Sequence, residues 1–98
     1  MRAAAAECAY LGIRVNAVSP GGVNTEMVSS FTNAFGDEKA REMMAAYAAS
    51  VPLGRLAEPG EVADVMVFLL GEESRYCTGT NYMVDGGLTR SEEHTSEL

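Results

Sequence analysis

Positive charge is scarce in this sequence. Lys and Arg number seven against fourteen Asp and Glu, for a net charge of −7. Such a balance leaves no basic footprint for a phosphate backbone and argues against nucleic acid as a partner. Long apolar runs are also missing. The longest is Val65-Met66-Val67-Phe68-Leu69-Leu70, far short of the roughly 20 residues that cross a bilayer as a helix. No secretory leader pattern is visible, because Met1-Arg2 opens an alanine-rich stretch rather than an apolar core with a cleavage site. The two cysteines, Cys8 and Cys77, have no metal-ligand spacing. They read as small hydrophobes in a reducing cytoplasm rather than as a disulfide. Lysine and histidine occur once each, as Lys39 and His94.

The 98 residues, 47% of them apolar, suit one small globular unit with a modest core. Alanine, the best helix former, dominates Arg2 to Tyr10, and Gly12 stands where a helix-ending glycine belongs. No capping residue precedes this helix, an early suggestion that the chain starts within an element. Residues Ile13 to Val18 alternate and are rich in β-branched side chains, which predicts a strand ended by Ser19-Pro20-Gly21-Gly22. Glu26 to Ser50 reads as a helical insert broken at Gly36-Asp37, with Asp37 as the cap of its second half. Met43, Met44, Tyr47 and Ala48 form an apolar stripe there. Such a stripe serves either packing or the lining of a substrate pocket.

Pro59 suits the first position of a further helix, which runs to about Leu70 and stops at Gly71. This helix is apolar nearly all round, so it needs cover on two sides and implies a neighbouring part of a domain or a second subunit. Asn81 to Val84 reads as a second strand, closed by Asp85-Gly86-Gly87. Strand, helices, strand is a crossover unit and predicts two parallel strands. Two parallel strands alone are a poor sheet, so the unit reads as incomplete.

In open α/β sheets ligands bind beyond the carboxyl ends of the strands, which is where Pro20 to Thr25 falls. Glycines there allow close approach to a flat ring, free backbone groups can pair with an amide, and a threonine hydroxyl both donates and accepts. The string from Gly12 to Gly21 with Thr25, the blocks Pro52-Leu53-Gly54-Arg55 and Glu58-Pro59-Gly60-Glu61-Val62-Ala63, and Thr78-Gly79 with Val84-Asp85-Gly86-Gly87 resemble the C-terminal signature of the classical short-chain dehydrogenases/reductases. The resemblance covers residues 1–89. It implies an α/β fold: the last two strands and crossover helices of a Rossmann-type doubly wound parallel sheet, incomplete as a domain. It also implies NAD or NADP as cofactor, a small alcohol or carbonyl substrate, and a homodimer or homotetramer in the cytoplasm. Residue by residue, the Pro20-Gly21 turn would pack beside the nicotinamide and the backbone of Val23 would pair with its carboxamide. The Thr25 hydroxyl would bind the same carboxamide or nearby phosphates. The plainer role for Thr25 is to cap the helix that follows. Residues 26–57 match the family's variable substrate lid, and Asp85-Gly86-Gly87 looks like a structural turn with a subunit interface nearby.

The sequence departs from the family where proton transfer is done. That chemistry takes a Tyr-x-x-x-Lys pair and a Ser, the Lys lowering the pKa of the Tyr that exchanges a proton with substrate. The residues four beyond the tyrosines are Arg14, Val51, Thr80 and Gly86, none of them lysine. The glycine-rich phosphate loop is absent as well. No catalytic residue or metal ligand is therefore assigned, and NAD is not distinguished from NADP. The resemblance places the missing Tyr and Lys within about three helical turns upstream of Met1 in a parent reading frame. Residues 90–98 do not resemble the family and look like the in-frame translation of a sequencing-library adapter, the alternative being a native acidic tail. They hold one Arg, three Glu and His94, so residues 1–89 carry −5. Two expectations follow: a fragment of an NAD(P)-dependent oxidoreductase, inactive alone, or a non-catalytic truncated paralogue that binds other subunits.

Overall fold

The computed structural model describes residues 1–89, and the expectation for the tail lies outside them. Helix α1, Arg2–Ala9, is eight residues of mostly alanine. It ends one residue before the expected Tyr10. Leu11 and Gly12 then donate to the carbonyls of Cys8 and Ala9, and Gly12 takes a φ of 77°. Glycine adopts that left-handed conformation without the penalty a Cβ brings.

Strand β1 is Ala17–Pro20 and strand β2 is Asn81–Val84. They pair in parallel, with Ala17 opposite Asn81 and Pro20 opposite Val84. The second strand lies where the sequence placed it. The first does not: the expected Ile13 to Val18 is shifted toward the carboxyl end. Residues 13–16 lie outside the ladder, and their polar groups pair irregularly with the segment before β2. Val15 N–H donates to Thr78 Oγ1 at 3.0 Å, and Asn16 Oδ1 accepts from Thr80 N–H at 3.2 Å. β-Propensity selects extended backbone, whereas ladder pairing depends on where the partner strand begins. Proline is tolerated in β1 because it is the last residue, and the Gly21 N–H carries the ladder on to the Val84 carbonyl at 2.9 Å.

Between the strands run α2, Asn24–Phe35, α3, Asp37–Ser50, and α4, Pro59–Leu70, followed by a 3-10 turn at Glu72–Ser74. The break in the insert falls where expected, but Asp37 is the first residue of α3 rather than its cap. Gly36, with φ 84° and ψ 168°, ends α2 and starts α3 at once. Pro59 opens α4 and Gly71 ends it, as read from the sequence. Glu61 reaches back to accept from Glu58 N–H at 2.9 Å, closing one of the unpaired donors at the helix start.

Arg14 ties the far end of α4 to the segment before β1. Its guanidinium donates to Gly71 O at 3.2 Å, Cys77 O at 3.1 Å and Ser74 Oγ at 3.2 Å. Ser74 is 1% exposed, and its hydroxyl donates to Leu69 O at 3.0 Å. Among the described residues the buried apolar side chains are Ala5, Val23, Ala40, Val51 and Leu69. Of α4 only Leu69 is buried, while Met66, Val67, Phe68 and Leu70 stand open.

Candidate functional site

The chain leaves β1 at Pro20 and runs through Gly21 and Gly22 to Val23, beyond the carboxyl ends of both strands. Neither glycine in this loop has a positive φ, so freedom of backbone angle is not what they supply. They supply room. A Cβ on Gly21 would lie 2.8 Å from the Cβ of Asp85, and one on Gly22 would lie 2.5 Å from both Met27 Sδ and Tyr47 Cε1. The space a side chain would fill is taken by the protein itself, so any ring meeting this loop meets its opposite side.

Val23 is fixed by a short parallel bridge to Ala57, in which Ala57 N–H donates to Gly22 O at 2.9 Å and Asn24 N–H donates to Ala57 O at 2.8 Å. The bridge draws the segment after α3 back onto the loop and holds Val23 in extended conformation, φ −102° and ψ 129°. Helix α2 therefore begins at Asn24, with Val23 in the capping position. Thr25 is the second residue of the helix, and no side chain caps α2. This overturns the plainer role for Thr25, because the bridge settles the helix start one residue before it.

The loop donors can be accounted for one by one, since a backbone N–H seldom stays unpaired when buried. Gly21 N–H is bonded to Val84 O, Gly22 N–H to the Tyr47 hydroxyl at 3.0 Å, and Asn24 N–H to Ala57 O. Val23 is 8% exposed, yet among the described residues its N–H has no partner. Thr25 is exposed, and its hydroxyl likewise makes no hydrogen bond among them. An unclaimed N–H at Val23 and an unclaimed hydroxyl at Thr25, two residues on, offer the complementary groups a planar amide takes. That donor set fits the carboxamide of a nicotinamide.

Of the four residues singled out in the sequence, only Pro20 borders one of the two neighbouring cavities. Pro20 borders an open groove of about 590 Å³ between β1 and α4, together with Val18, Val62, Met66 and Leu70. Gly22 lines a separate cavity of about 100 Å³ with Val51, Ala57, Asp85 and the Arg55–Glu61 pair. Arg55 grips Glu61 with two bonds, at 2.7 and 2.8 Å. The side-chain hydrogen bond from Arg55 lowers the Glu61 carboxyl to about 2, and the Glu58 N–H adds to the effect. Asp85 is also held below the ordinary carboxylate value, first by the Thr89 hydroxyl at 2.6 Å and then by the N–H groups of Thr89 and Gly87. Asp85 serves the turn read at Asp85-Gly86-Gly87, and Glu61 serves the start of α4. Sequence reading missed the Arg55–Glu61 pairing, the Tyr47 contact and the Arg14 clasp. The spacing of Arg55 and Glu61 around Pro59 was the one available signal.

A family model described as enoyl-(acyl carrier protein) reductase matches residues 1–89. The oxidoreductase UcpA of Escherichia coli O157:H7 is 43% identical over 88 residues, covering 90% of this chain and 34% of that protein. A short-chain dehydrogenase family protein from Francisella tularensis superposes with a TM-score of 0.78 at 32% identity, over 91% of this chain and 38% of that one. The structure of YwfH, an NADPH-dependent reductase of bacilysin biosynthesis, gives 0.77 at 28% identity, over 89% and 34%. The chain thus spans about a third of the length of the curated relatives it matches. Two parallel strands joined through helices, a glycine loop beyond their carboxyl ends, and a match running through every described residue make this chain a member of the short-chain dehydrogenase/reductase family of oxidoreductases.

Proposed function

We propose that residues 20–25 form the nicotinamide side of an NAD(P) site belonging to an oxidoreductase that interconverts an alcohol and a carbonyl. The N–H of buried Val23, which has no partner among the described residues, carries this reading. The Val23 N–H would donate to the carboxamide oxygen, and the Thr25 hydroxyl would accept from the carboxamide nitrogen or donate to a phosphate. Pro20 and Gly21 would bound the ring. The cofactor, when bound, supplies or takes up hydride. The chain's part is to orient the ring, and its proton-transfer chemistry has no candidate, since no tyrosine is followed by lysine at the fourth position. The chain by itself is therefore proposed to be inactive. Nor is a glycine-rich phosphate loop present, and one or two hydrogen bonds at about 1 kcal/mol each give weak affinity.

Nicotinamide mononucleotide, titrated into isotopically labelled chain, should move the amide resonances of Val23 and Thr25, while ADP-ribose, which lacks the ring, should leave Val23 unmoved. Silence at both residues would overturn the reading. Turnover of NADH with a panel of ketones would overturn the proposed inactivity. The exposed face of α4 favours a second reading, a non-catalytic module that docks on another subunit. A monomer with a cooperative melt supports that module, whereas a molten state supports a fragment without independent stability.

A further inference from the structure

We infer that Tyr47 is a positioning residue, which locks the lid helix α3 onto the cofactor loop and leaves Val23 N–H as the loop donor with no partner among the described residues. This rests on the cofactor reading above. The Tyr47 hydroxyl accepts from Gly22 N–H at 3.0 Å, across 25 residues of sequence. Its ring lies so close to Gly22 that even a methyl group there would meet Cε1 at 2.5 Å, and Met27 Sδ, from the first turn of α2, closes the same spot. One side chain of the lid thus touches the loop through both a polar and an apolar contact. The hydroxyl occupies the donor next to Val23, so a carboxamide arriving at the loop finds one backbone N–H rather than two. Its register on the loop is fixed accordingly. The bridge between Val23 and Ala57 anchors the other end of the lid region. With both anchors made, the backbone of Val23 is held from each side. Movement of α3 then changes the geometry of the donor that meets the cofactor. The position of α3 is coupled to cofactor orientation through the Tyr47 hydroxyl as well as the bridge.

The test compares Y47F, which keeps the ring and removes the hydroxyl, with the full 98-residue chain. Amide hydrogen exchange at Gly22 should accelerate roughly fivefold, the factor expected for one net hydrogen bond, while Gly21, bonded to Val84, keeps its protection. The concentration of nicotinamide mononucleotide that half-saturates the Val23 shift should rise severalfold. G22A, which pushes the ring away from the opposite side, should reproduce both changes and serves as the second variant should Y47F lose Gly21 protection. Unchanged exchange at Gly22 in Y47F overturns the latch. Faster exchange with an unchanged mononucleotide response shows a bond that positions nothing, and overturns the inference. A mononucleotide response absent even from the unmodified chain overturns the cofactor reading and the positioning role with it, and the exchange rates still report whether the latch exists.

Discussion

Thr25 shows how a single side chain separates a structural role from a binding one. Its hydroxyl makes no bond among the described residues and sits on the second residue of α2, where it caps nothing. T25V keeps the shape and removes the oxygen. The expected stability change lies within about 0.5 kcal/mol, as for exposed positions without a specific contact, whereas loss of a true cap costs about 1 kcal/mol. The nicotinamide mononucleotide response at Thr25 should weaken in the same variant. Thermal melts and the titration together decide the point: a large loss of stability restores the capping role. Arg14 is the opposite case. Its three bonds reach the end of α4 and the segment leading to β2. Hydrogen bonds to a charged group are each worth about 1.5–3 kcal/mol, and partial exposure reduces that. R14A should therefore cost about 2 kcal/mol in a denaturant titration, with the loss concentrated in amide protection from Gly71 to Gly79.

At the scale of elements, α4 is held at its start by charge and at its end by Arg14. Glu61 has an ordinary carboxyl value of 4.5 and is lowered to about 2 by Arg55. A group whose value is depressed on folding adds stability above its unfolded value and loses it as pH falls toward the folded one. The stabilisation is thus complete above about pH 5 and gone near pH 2. E61Q should melt below the parent chain at pH 7, with a gap that narrows between pH 4.5 and pH 2. Because the pair is exposed, added salt should narrow it as well. Circular dichroism melts across pH check this, and a gap that stays constant down to pH 2 would assign the effect to geometry rather than charge. The same helix shows what the sequence makes legible. Pro59 punctuates the start of α4 by a local rule, since its missing N–H costs nothing at the first helical position. Gly36 marks the break between α2 and α3 by a local rule as well, since its φ of 84° favours glycine. The ends of β1 and α2 were not legible, because each depends on a distant partner: β2 for the strand, and Ala57 for the helix start. In the site, the loop itself could be read, through its glycines and its place after a strand. What the glycines admit could not. Asp85 and Tyr47 approach from 64 and 25 residues away, and spacing alone does not bring them together.

For the whole molecule, the decisive quantity is apolar surface without cover. Leu70 is 85% exposed, Val67 67%, Met66 50% and Phe68 46%, all on one helix. Part of that surface borders the open groove beside β1, whose other strand edge has no partner among the described residues. The all-round apolar pattern of α4 predicted a helix covered on two faces; within the described residues one face is packed and the other is bare. Contiguous apolar surface of this kind drives association, and an unpaired strand edge offers a template for it. The chain alone should therefore self-associate as its concentration rises, and should bind a hydrophobic dye such as ANS. Replacing Val67 and Leu70 together by glutamate should weaken both. The exposed side chains contribute little to the fold they stand on, so the pair of substitutions should leave Gly21 protection and the Arg14 clasp intact. Sedimentation over a dilution series gives the result directly. A chain that stays monomeric at every concentration would mean that this surface does not adhere to itself in water, and the expectation of self-association would fail. If the double variant instead loses its fold along with its association, α4 is held by contacts beyond Leu69. The bare face would then be part of this chain's own core rather than a surface for another.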